Sequence, residues 1–282
     1  MPKKLISTPL HTCGLLQQIL PPSAIILVGP GLNPLPVDWN QLSAGQVLAI
    51  DAHVQIPEWL HNSIPSSRSW IIRNTILAGN QVPAPFYTTN NPKENALIPP
   101  DHLHEVWPNL RQTDAQTCQP ETLQTLLAEP ELQSFTKTPN TWVMIDCLPA
   151  LDILQGAGNP LPESWNVLWL RLLQNAPKRH AELSLAKAEA ELSNSGYRCV
   201  GWYEENHPEL IQAIFVRNTE TLLQQKLEQH ATLTRERDQL KKDHELLARA
   251  GSEQKARIEQ LVQQNATLTR ERDQLKKDHE LL

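Results

Sequence analysis

Seventeen residues, Ala231 to Leu247 (ATLTRERDQLKKDHELL), recur without change from Ala266 to Leu282, at an offset of 35 residues. An offset of five heptads keeps every side chain on the same stripe of an α-helix, so the repeat specifies a helical seam. With Leu233 at heptad position d, Leu240, Leu247, Leu261, Leu268, Leu275 and Leu282 also fall at d, while Lys226 and Gln254 interrupt the series. The a positions are mostly polar: Leu223, His230, Arg237, His244, Gly251, Ile258, Asn265, Arg272 and His279. Leucine at d with polar a residues predicts a parallel dimer or trimer of modest stability and fixed register. A continuous helix over residues 219–282 would be about 95 Å long. Its expected interruption is Ala250-Gly251-Ser252, because glycine costs about 1 kcal/mol in a helix interior.

The rest of the chain is a different polymer. All 23 prolines and all eight tryptophans lie at or before Pro208. The net charge of −6, from 25 basic and 31 acidic residues, also arises entirely before Glu220, because the two signs balance from there on. Residues 1–218 therefore read as one globular domain with room for a substantial core, and residues 219–282 as an oligomerisation segment. The acidic balance argues against a nucleic-acid partner. No apolar run approaches the length of a membrane span, so no membrane insertion is expected. Cys13, Cys118, Cys147 and Cys199 form no CxxC pair, which suggests reduced thiols in a cytoplasmic protein.

Within the globular part, short β-branched and aromatic runs are bounded by Pro, Gly or Asn: 25–29, 46–51, 70–76, 84–89, 142–147, 167–173, 197–203 and 212–217. The first three and 142–147 are almost wholly apolar, as strands covered on both faces must be. Helix candidates lie between them, clearest at Ala181–Asn194 with Gly196 as its stop, and another at Leu10–Leu20. The fold class is α/β. The last two runs are too close for a crossover helix and so must be antiparallel. A mostly parallel sheet of about seven strands with an antiparallel last strand is the arrangement of Rossmann-like methyltransferases.

Gly29-Pro30-Gly31 follows the first core strand, where an α/β protein lets its backbone approach a ligand closely. The third glycine of a dinucleotide fingerprint would fall at Pro34, and Pro34 with Pro36 delays the following helix, which disfavours a nicotinamide enzyme. Asp51 closes the second strand about 20 residues later, where a carboxylate accepts hydrogen bonds from ribose hydroxyls. Asn74 closes the third and is placed to meet an adenine edge. Capping or loop satisfaction accounts for Asp51 and Asn74 equally well. Asp101-His102-Leu103-His104 has the spacing of two metal ligands only if it is a strand; the flanking Pro100 suggests a helix start capped by Asp101, so no metal site is expected. Cys147 reads as a buried, inert thiol, and His207-Pro208 as a surface turn.

The succession IILVGPG, VLAIDAH with a short helix, WIIRNTI, NNPKENALIPPDHLHEVWPNL, TLQTLL and WVMIDCLPALDILQGAG resembles the FkbM family of S-adenosylmethionine-dependent methyltransferases over about residues 20 to 218. The resemblance implies S-adenosylmethionine as cofactor, with Gly29, Gly31, Asp51 and Asn74 lining its pocket and Asp146 beside the methyl-transfer site. The chain departs from the family pattern at Leu27, Met144, Leu148 and Leu151, where acidic residues and, at 144, a lysine stand in the family, and it has Pro149 nearby. Two functions from different classes follow: an O-methyltransferase acting on a hydroxyl of a sugar or small metabolite, or a catalytically inactive scaffold that docks a partner protein and gains avidity from its coiled coil.

Overall fold

The computed structural model describes residues 9–31, 42–52, 69–205 and 207–280. The helix start after Pro34 and the short helix expected after Ala52 lie outside the described residues. The chain divides into two compact units, Met1–Thr219 and Glu220–Leu282.

The first unit is built on β1 (Ala24–Val28), β2 (Gln46–Asp51), β3 (Ser69–Asn74), β4 (Ala84–Thr89), β5 (Gln112–Cys118), β6 (Thr141–Ile145), β7 (Trp165–Leu173), β8 (Tyr197–Glu204) and β9 (Leu210–Arg217). Seven of these form one sheet in the order β3-β2-β1-β6-β7-β9-β8. β9 runs against both of its neighbours, and β3, β2, β1, β6 and β7 run parallel. The expected α/β class, mostly parallel sheet and antiparallel last strand are all present. β1 and β6 are buried at every position, as their AIILV and TWVMI sequences require at the centre of a sheet covered on both faces.

The 84–89 run forms a strand outside this sheet. β4 instead pairs antiparallel with β5, a strand of sequence QTDAQTC exposed at six of seven positions. No apolar pattern marks β5, so nothing in the sequence announces it as a strand.

One face of the sheet packs on helices α2 (Leu123–Leu127), α4 (Ala150–Gln155) and α5 (Leu185–Asn194), and also buries Phe135 of the short helix α3 (Ser134–Lys137). α5 starts later than the expected Ala181 because Ser184 caps it, its Oγ accepting from Lys187 N at 3.2 Å, after a 3-10 turn over Lys178–Leu183. It stops at Gly196, whose φ of +80° continues the chain in the left-handed region. The opposite face buries Trp142, Trp169 and Tyr203, with α1 (Pro9–Ile19) contributing Cys13 and Leu16. Trp142 donates its indole N–H to Leu20 O at 3.0 Å, which ties that helix to the central strand.

The second unit is a single helix, α6 (Thr219–Glu280), unbroken through Gly251. The expected interruption does not form: one glycine costs about as much as a favourable turn recovers, and helix continues on both sides. Just beyond it, Ser252 Oγ donates to Ala248 O at 2.9 Å. Leu233, Leu240, Leu247, Leu261 and Leu268 are all largely exposed along the helix. No described helix is long and apolar enough to cross a membrane.

Candidate functional site

Register brings the site together. Val28 lies opposite Ile50 on one side and Ile145 on the other, so the next residue of each strand, Gly29, Asp51 and Asp146, leaves the sheet at one level of its carboxyl edge. Gly29 N donates to Ile50 O at 2.8 Å and Asp146 N to Val28 O at 2.9 Å, which carries the ladder to its last rung. β1 is also where the strand order reverses: the chain builds outward through β2 and β3, then crosses to β6 on the other side. Open α/β sheets offer a crevice at such a point.

A shallow cleft, open to solvent, occupies that edge. Its floor is Gly29, Gly31, Asp51 and Cys147. Thr75 to Leu77 form one wall, and Phe86, Lys93 and Asn95, from the ribbon and the 3-10 turn Pro92–Glu94, form the other. Gly29 and Gly31 both have left-handed backbones, with φ of +62° and +57°. A Cβ on Gly29 would lie 2.6 Å from the Cys147 sulfur, so only glycine lets the two strand ends meet. Gly31 N donates to Asp51 Oδ2 at 3.0 Å, which fixes the carboxylate at the cleft.

The expected residues separate into three groups. Gly29, Gly31 and Asp51 share the cleft. Asn74 does not line it: the side chain is exposed and its Nδ2 donates to Asp51 O at 3.0 Å, the loop-satisfying role, while Thr75 takes the wall position. Asp146 lies beneath the lining, fully buried, with Oδ2 3.3 Å from Lys93 Nζ and Oδ1 accepting from Gln212 Nε2 at 2.6 Å. Burial pushes its carboxyl up to about 6, against the opposing pull of Lys93 and then Arg171. The resemblance puts a lysine at 144; this chain has Met144, and the ammonium beside Asp146 comes from Lys93 instead.

Lys93 and Asp146 belong to a larger buried network that sequence reasoning missed. Arg171 grips Glu94 with two bonds, 3.0 and 2.7 Å, and donates from Nε to Glu205 at 3.1 Å. Gln212 Nε2 also donates to Glu205 Oε1, at 2.5 Å, and its own Oε1 is buried without a partner. Consecutive residues of one turn, Lys93 and Glu94, thus anchor the β4–β5 ribbon to the sheet with opposite charges. These contacts span 53 and 77 residues, beyond the reach of any local motif.

The remaining candidates stay apart from chemistry. Asp101 does not cap its 3-10 turn, which begins at Pro100; the ring already fixes that start. His102 and His104 point apart as expected: His102 Nδ1 meets His180 Nε2 at 2.9 Å, whereas His104 Nε2 meets Leu110 O at 3.2 Å. No cluster of three or more metal-ligating side chains occurs among the described residues. The Cys147 thiol is pushed up to about 12, first by burial and then by Asp146 and Asp51, and is no nucleophile at neutral pH. His207 receives Glu209 N at 3.2 Å within its turn. Comparison of the chain with family models, curated proteins and solved structures found no match.

Proposed function

We propose that the domain binds S-adenosylmethionine in the cleft beside β1 and acts as a methyltransferase on a hydroxyl of a sugar or small metabolite. The observation that carries this reading is the Gly31 to Asp51 bond at the strand-order reversal: a carboxylate held at the cleft floor by a loop whose Gly31 leaves its backbone open to a ligand. The mostly parallel seven-stranded sheet with one reversed strand supports it. The lining suits an adenosyl group in kind: Asp51 offers acceptors to vicinal hydroxyls, and Ile50, Ala52 and Ile76 supply apolar contacts. The cofactor supplies a methyl on a sulfonium, and displacement from it is accelerated mainly by positioning.

A second reading, a ligand-binding scaffold without turnover, is favoured by one observation. Asp146, the carboxylate expected at the transfer point, is sealed under the cleft by Lys93 and Gln212. Calorimetric titration of the full chain separates the possibilities. Micromolar binding of S-adenosylmethionine, abolished by Asp51→Ala, supports the cleft; absence of heat at millimolar ligand eliminates it. Binding without methyl transfer to any of a panel of hydroxylated acceptors selects the scaffold.

The rod belongs to the same proposal as the element that multiplies the domain. Leucines seven residues apart along one stripe of α6 would be covered by the same stripe of a second copy, giving a parallel dimer.

A further inference from the structure

Among the described residues that line the cleft, Asp51 is the one anion and Lys93 the one cation. The cleft is therefore dipolar. Asp51 suits hydroxyl donors, and Lys93 suits an acidic group on the same ligand. Lys93 is already within 3.3 Å of Asp146, which has no exposed surface and does not touch the cleft. A ligand carboxylate and Asp146 consequently compete for one ammonium. If Lys93 turned to the ligand and Asp146 stayed ionised, a buried carboxylate would be left near Glu205 with the Gln212 amide and the attraction of Arg171, whose own bonds go to Glu94 and Glu205, and without a directly paired cation, an arrangement proteins avoid.

We propose that Lys93 recognises a carboxylate of the bound ligand, and that it does so by leaving Asp146, which takes up one proton from solvent and remains as the neutral acid. This rests on the adenosyl reading of the cleft and adds to it the part of the ligand that the far wall reads. The balance is simple: one ion pair is exchanged for another, and one proton moves from buffer to Asp146. Two features favour it. Burial already raises the Asp146 carboxyl to about 6 against the pull of Lys93, so withdrawal of that ammonium raises it further. The second is geometric: Lys93, whose ammonium lies 3.3 Å from Asp146 Oδ2, itself lines the cleft, so it can serve a ligand there only by giving up that pair.

The test compares S-adenosylhomocysteine, which bears a carboxylate, with 5′-methylthioadenosine, which lacks the amino-acid end, by calorimetry of the full chain at pH 7.5 in phosphate and in Tris. Wild type should take up close to one proton with the first ligand and none with the second, and should bind the first about tenfold or more tightly. Lys93→Gln should bring the two affinities together. Asp146→Asn should bind S-adenosylhomocysteine with no proton uptake. Equal affinities in wild type, or a binding enthalpy independent of buffer, overturn the Lys93 assignment and leave the adenosyl cleft standing. Failure of both ligands to bind removes the cleft reading and this inference together. The wild-type arms need no variant to fold.

Discussion

The hydroxyl of Tyr203 is buried with no hydrogen-bond partner, on a ring that meets Trp169 edge-on at 5.7 Å. A stranded hydroxyl carries a desolvation cost that phenylalanine does not. Tyr203→Phe is therefore expected to stabilise the domain by about 1 kcal/mol in denaturant titration; destabilisation would mean that the hydroxyl has a partner in solution. Asp146 makes a pH-dependent contribution of definite sign. In the folded domain its carboxyl titrates at about 6, against about 4 in an unfolded chain. Between those values the folded state holds a proton that the unfolded state has released, so stability falls as pH rises from about 4 to about 6, by roughly 3 kcal/mol from this group. Asp146→Asn should flatten that slope, and a variant with the wild-type slope would show that another group titrates there. Gly29, Gly31 and Asp51 were legible because strand ends carry local signals: a β-branched run, a turn residue, an acid at a fixed spacing. Lys93 was not, since NNPKENA reads as a polar loop and only the fold brings it to Asp146.

At the scale of elements, what was legible follows what leaves a periodic trace. The buried strands of the central sheet announce themselves as continuous apolar runs, and α5 ends where Gly196 says it must. β5 leaves no trace, because a ribbon strand exposed on both faces selects for polar residues and is held by its ladder to β4 alone. Asp101 looked like a cap by residue type, yet the turn it sits in is started by Pro100. Polar anchorage of the ribbon makes a prediction of its own. Glu94→Gln leaves the buried Arg171 guanidinium short of one carboxylate, and should cost about 3–5 kcal/mol, the range for breaking a buried pair. Thermal melts of Glu94→Gln and of the exposed-pair variant Lys187→Gln would check this: comparable small losses would show that the Arg171 pair is not desolvated in solution.

For the whole molecule, association is the measurable property. Light scattering of the full chain should give a dimer mass, and replacing Leu240 and Leu268 by lysine should return it to monomer mass with the domain's melting unchanged. A wild-type monomer would leave the repeated helix without its expected role. The order of strands adds something about how such a chain is made. Among the described residues, β9 is the last strand in sequence but lies inside the sheet, and it is the one strand β8 pairs with. During synthesis, then, Tyr197–Glu204 emerges before anything can pair with it, and the sheet closes only when Leu210–Arg217 slides in against β7. A chain stopped at Glu209 should show no cooperative melting. Because the leucine stripe is translated after that closing strand, each newborn copy has the means to complete its own sheet before its exposed leucines exist.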